Sequence, residues 1–187
     1  VKSVEPMPQI AVTPTHSVLS EDIDEEILEI FLEEADEEFA NISDCLPRWL
    51  ADEQDKDALV TMRRSFHTLK GSGRLVGALR LGEFAWGFEC LLNRLLDGVL
   101  QRDETVCGLL ERALPALPEL IAQIRSGAAT TQPIEALMNM AHALSRGEPV
   151  TLACLDVAQV EAAPVEDVLA STAPDVGLEE IQLAAGL

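Results

Sequence analysis

From residue 21 to residue 147, apolar side chains recur every three to four positions, and no segment shows the alternation or β-branched density of a strand. This periodicity constrains the fold more than any other feature. Apolar positions on helical stripes can be buried only by packing helix against helix. The first stripe, over about 22–50, is Ile23, Ile27, Ile30, Phe31, Ala35, Phe39, Ile42 and Leu46. Ser20 is its expected N-cap, the acids of 21–26 favour the positive end of the helix dipole, and Pro47 should kink or end it. The second helix is expected from about Asp57 into the Gly71–Gly77 region, burying Leu59, Met62, Phe66 and Leu69. The third runs from about Leu81 to Asp97 and is closed by Gly98; Leu81, Phe84, Phe88, Leu91, Leu92 and Leu95 face inward. The fourth runs from about Glu104 to Arg125, bent by Pro115 and Pro118 and ended by Gly127. A short fifth helix over 133–145 starts at Pro133, a favourable first helical residue. Short loops between amphipathic helices predict an all-α antiparallel bundle.

The flanks read differently. Residues 1–20 hold Pro6, Pro8 and Pro14 and read as a linker; residues 148–187 hold eight acids and no Lys or Arg and read as a mostly disordered acidic, Ala-rich linker. The bundle is therefore expected over 21–147, with its core over 21–125. No run of about 18 apolar residues predicts a membrane span. The four cysteines show no CxxC pair and no His at ligand spacing, which predicts reduced thiols, no metal and a cytoplasmic protein. Thirteen basic against 33 acidic residues, a formal charge of −20, argues against nucleic acid and against anionic membranes as partners.

The acids are unevenly spread. Residues 21–57 hold 16 acids and two bases, whereas 58–82 hold no acid and five of the chain's bases: Arg63, Arg64, Lys70, Arg74 and Arg80. His67 lies in the middle of that stretch. At about 100° per residue, His67 falls roughly a third of a turn from the apolar stripe. Arg63, Arg64, Lys70, Gly71 and Arg74 lie three, four or seven residues from it and share its face. Such cations favour a neutral, nucleophilic imidazole, and they would stabilise an anion placed on the ring, a phosphoryl group above all. Gly71 and Gly73 each cost a helix about 1 kcal/mol relative to Ala. Two explanations fit them: access to His67 for a partner, or helix ending and close packing.

The stretch Arg64-Ser65-Phe66-His67-Thr68-Leu69-Lys70-Gly71-Ser72-Gly73 resembles the signature of the histidine phosphotransfer (HPt) family. Glu89-Cys90-Leu91-Leu92-Asn93-Arg94 resembles the matching segment of chemotaxis-type phosphotransfer domains, with Cys90 where the family has Asn. The wording is most similar to the phosphotransfer domains of pilus-associated chemosensory hybrid kinases. The resemblance covers about 21–125 and implies a four-helix HPt-type bundle. It implies that His67 accepts the phosphoryl group, Lys70 neutralises it, Gly71 leaves room for a receiver and Glu89 orients the ring. Arg63, Arg64, Arg74 and Gly73 are expected to line the partner-binding face. Trp86 stands where many such domains carry a second histidine, so a simpler hydrogen-bond network is expected. His16 and His142 read as structural or incidental.

The implied partners are a histidine kinase catalytic domain and a response-regulator receiver domain. No GxxxxGK[ST] loop or other ATP site is present, so the module is expected to carry phosphate, without cofactor, as a monomer and as part of a chemotaxis-type kinase. The alternatives are a degenerate phosphotransfer fold or an acidic helical adaptor that binds partners without carrying phosphate.

Overall fold

The computed structural model describes residues 24–153. They form five helices: α1 (Glu25–Ala51), α2 (Lys56–Leu75), α3 (Leu79–Leu96), α4 (Glu104–Ser126) and α5 (Ile134–Ser145). No strand occurs among the described residues. The expectations for the 1–20 linker, Ser20, Ile23, His16, Cys154 and the tail beyond 153 fall outside them.

Three helices begin on an aspartate that accepts a backbone N–H. Asp24 caps α1 through Glu26 at 3.0 Å, Asp55 caps α2 through Ala58 at 2.9 Å, and Asp103 caps α4 through Val106 at 2.8 Å. Among the described residues α1 begins at Glu25, with Asp24 as its N-cap. Pro47 does not end it at once: α1 runs a further turn to Ala51. Burial of Leu46 and Trp49 outweighs the one backbone bond the proline removes. Pro115 and Pro118 likewise lie inside a continuous α4 whose flanking Ala113, Ala116, Leu117 and Leu120 are buried.

Ile27 and Ile30 are a correction to the expected stripe, for they are 54% and 61% exposed. The face that α1 buries is Phe31, Ala35, Ile42, Cys45, Leu46 and Trp49. Ile30 lies about a third of a turn from the centre of that face, and Ile27 lies at its edge.

The helices close a ring: α1 packs on α2 and α4, and α2 on α3. Between α3 and α4 the direct contact is slight, because α5 lies against both. Arg80 fastens this arrangement. It donates to Glu135 at 2.8 Å, to Gln123 at 3.0 Å and to Thr130 at 3.1 Å. Arg94 donates to the Ser145 carbonyl at 2.9 Å. Gly87 lets α5 approach, since a Cβ there would lie 3.3 Å from His142 Nε2. Pro133 is the residue before the helix rather than its first. The ordered body continues past 147: Val150 and Leu152 pack against the core, with Leu152 over Gly108.

The α2–α3 hairpin positions the site. Its turn depends on Gly77 at φ 78°, a backbone conformation costly for any residue with a Cβ. Phe66 and Phe88 stack across it with centroids 5.5 Å apart, and Phe84 joins Phe88 at 4.7 Å. His67 and Glu89 are the chain neighbours of that stacked pair, so the core fixes the register that brings them together.

Candidate functional site

His67 projects from α2 toward Glu89 on α3, with Nδ1 and Oε1 2.7 Å apart. Lys70, one turn along α2, donates from Nζ to Oε2 of the same carboxylate at 2.6 Å. The Glu89 side chain is 9% exposed and that of His67 is 59% exposed. Burial alone would push the Glu89 carboxyl up. The hydrogen bonds from Lys70 and His67 and their charges outweigh burial and hold it below the ordinary carboxylate range. An ionised carboxylate can only accept, so Nδ1 carries the proton it shares with Glu89. In the neutral ring the lone pair is then on Nε2, at the exposed edge. Such an arrangement has the chemistry of a fixed nucleophile: one nitrogen is held by a carboxylate and the other keeps its lone pair.

The five bases of the acid-free stretch do not form one cluster around His67. Lys70 is engaged by Glu89. Arg74 pairs with Glu83 at 2.7 Å and lies 5.5 Å above the Trp86 ring. Arg80 is committed to α4, α5 and the loop between them. Acids from neighbouring helices meet the cations of a stretch that holds no acid of its own. Only Arg63, half-buried, and Arg64, exposed, form no ion pair among the described residues. The field at the ring therefore includes the Glu89 carboxylate as well as the cations expected from the sequence.

The two glycines separate. A Cβ on Gly71 would meet nothing within 4 Å, so the space beside His67 is open. Gly73 is buried, and a Cβ there would lie 3.4 Å from the Ala78 carbonyl oxygen and the Gly82 nitrogen. The expected partner-binding role of Gly73 does not fit that position: it serves the close approach of α2 and α3.

Trp86 is engaged by α5 and by Arg74. It meets His142 of α5 edge-on at 4.9 Å, and burial lowers the His142 pKa. Cys90 is half-buried, and burial raises its thiol pKa, as it does for buried Cys45. No group of three His, Cys, Asp or Glu side chains among the described residues is arranged to hold a metal. None of the described helices is long and apolar enough to cross a membrane.

The bond from Lys70 to Glu89 was not anticipated. A signal existed: Glu83 and Glu89 are the acids of α3, six residues apart, and Lys70 and Arg74 of α2 are four apart. Two antiparallel helices in the right register pair them, but the register is set by the aromatic core.

Residues 26–117 match the family model described as the Hpt domain. His67, Lys70, Gly71 and Glu89 all lie within the matched segment. No curated protein matches the chain. Among solved structures, the chain is similar to the phosphorylated P1 domain of CheA3 from R. sphaeroides, determined in complex with CheY6. The identity is 21%, the TM-score is 0.58, and the match covers 67% of this chain and 100% of that one. The likeness establishes an all-α bundle of the HPt type.

Proposed function

We propose that this chain, whose residues 26–117 match the Hpt domain model, is a histidine phosphotransfer module of a chemosensory phosphorelay. The observation that carries the reading is the 2.7 Å contact of His67 Nδ1 with buried Glu89, which leaves Nε2 exposed as the nucleophile. The Nε2 lone pair attacks the γ-phosphorus of ATP held by a separate kinase catalytic domain. A P–N bond forms, the bond to the bridging oxygen breaks, and ADP leaves with that electron pair. Glu89 stabilises the positive charge the ring acquires. A receiver aspartate oxygen then attacks phosphorus, and the P–N electrons return to Nε2. Gly71 leaves that side of the ring open to both partners.

A receiver as the acceptor is supported by the similar P1 domain, captured phosphorylated and with CheY6. The finer reading, a module of a pilus-associated chemosensory kinase, rests on the wording around His67 and Lys70, and its place in the cytoplasm on the unpaired spacing of the cysteines. The module has no ATP site of its own in this reading and acts as a carrier.

The test is incubation with a CheA-type kinase core and ATP, read by intact mass and acid lability. One acid-labile phosphoryl group is expected on the wild type and none on His67→Gln, with both bundles folded. Label on His67→Gln would refute the assignment of the acceptor.

A further inference from the structure

We propose that Arg63 is a second phosphoryl-binding residue, placed to hold the group on His67 from the side opposite Lys70; the inference rests on the phosphotransfer reading above. Arg63 precedes His67 by four residues, which offsets them by about 40° around α2 and stacks them one turn apart. Side chains on a helix lean toward its N-terminus, so the imidazole lies over the turn that Arg63 and Arg64 occupy. A phosphoryl group on the exposed Nε2 is therefore brought over that turn, while Lys70 approaches from the turn after it.

Charge gives the second reason. Glu89 and Lys70 cancel, so with a neutral ring the three-residue site carries no net charge. A phosphoryl group adds about −1.5 to −2. Lys70 reaches it only by sharing or leaving its 2.6 Å bond to Glu89. A cation not already spent on a carboxylate is needed nearby. Arg74 and Arg80 are spent.

Arg63 and Arg64 differ in one respect. Arg64 is exposed, whereas Arg63 is half-buried, its Nε shielded from solvent with no acceptor among the described residues. A guanidinium held by its stem and its shielded Nε loses little rotamer freedom when its terminal nitrogens, which are not among the shielded atoms, take an anion.

The test uses the full chain, loaded with phosphoramidate so that no kinase contact intervenes, and follows the ³¹P resonance of the phosphohistidine against pH. Removing a cation near the group raises its second pKa, and a unit charge at about 5 Å in a largely hydrated setting is worth about half a unit. Arg63→Gln is expected to raise that pKa by about half a unit, Arg63→Lys by less, and Arg64→Gln by less than Arg63→Gln. Arg63→Met keeps the apolar stem and stands in if the Gln variant does not give a folded bundle. An unchanged pKa in loaded Arg63→Gln overturns the proposal, even if transfer to a receiver slows, since Arg63 would then act on the partner alone. Equal shifts from Arg63 and Arg64 also overturn it. A wild-type chain that takes no acid-labile phosphoryl group removes the phosphotransfer reading itself, and the role of Arg63 with it.

Discussion

Replacing Glu89 with Gln isolates the electrostatic part of the site from its shape. Gln is nearly isosteric with Glu, so the packing beneath His67 is kept and only the charge is lost. In the proposed transfer, as Nε2 attacks phosphorus, positive charge grows on a ring whose Nδ1 lies 2.7 Å from Glu89 Oε1. A unit charge at roughly 4 Å is worth about 1 kcal/mol in water and about 4 kcal/mol at the effective dielectric of a protein surface. The carboxylate is 9% exposed but the imidazole is 59% exposed, which places the pair between those limits. We take about 2 kcal/mol, and at about 1.4 kcal/mol per decade this predicts loading slowed by about 10- to 100-fold.

The assay is the initial rate of acid-labile labelling from a saturating kinase core and ATP, with urea melts to confirm the fold. Nitrogen chemical shifts of the ring provide a second readout. The wild type should hold the proton on Nδ1, and Glu89→Gln should show a mixed tautomer, because a side-chain amide can turn either its oxygen or its nitrogen to the ring. A folded Glu89→Gln chain that loads at the wild-type rate would refute the electrostatic role assigned to Glu89.

Three further outcomes follow from the same geometry. Lys70→Met should slow loading about tenfold and move the Glu89 carboxyl up toward its ordinary range, since Lys70 is the foremost group lowering it; carboxyl carbon shifts against pH would show this, and an unmoved Glu89 would contradict it. Gly71→Leu should leave stability unchanged or slightly raised, as its Cβ meets nothing within 4 Å, yet slow transfer to a receiver; Gly73→Leu should cost about 1–3 kcal/mol in urea melts by forcing α2 from α3, and equal stability of the two variants would contradict the separation of their roles. Glu89 binds fewer protons folded than unfolded, so its contribution to stability is present above the ordinary value of 4.5 and is lost as pH falls toward its lower folded value. The wild type should therefore lose stability more steeply than Glu89→Gln below about pH 4.5, and parallel curves would argue against it.

The helices were legible because each buries one stripe, and the 3.6-residue period of that stripe is written directly in the order of residues. Gly98 and Gly127 were legible as helix ends because both need a positive φ, which they have at 68° and 70°. Pro47 was legible as a sign that α1 ends nearby, at Ala51, whereas the one further turn that buries Trp49 belongs to the assembled bundle. Ile30 misled because it is apolar yet off the stripe. At the site, His67 and its open face could be read from α2 alone. The status of each cation could not, for an acid-free stretch in sequence is not acid-free in space: Glu83, Glu89 and Glu135 all arrive from other helices.

On the proposed reading, that redistribution explains how so acidic a chain carries an anion on its surface. Paired with Glu83 and Glu135, Arg74 and Arg80 hold α3 and α5 in place and add little net charge near the ring. Paired with Glu89, Lys70 helps keep the carboxylate ionised, and the carboxylate in turn fixes the proton on Nδ1. The unloaded site is thus close to neutral, which suits a ring that must present a lone pair. Once a phosphoryl group is attached, the balance reverses and cations are needed. Lys70 can turn from the carboxylate to the phosphate without leaving its turn of helix, and Arg63 lies one turn away on the other side. The stabilisation gained is modest, because the imidazole is mostly in water, where charge pairs are worth about 1 kcal/mol or less. A strong cage would trap the group; a partly hydrated one lets a receiver aspartate take it.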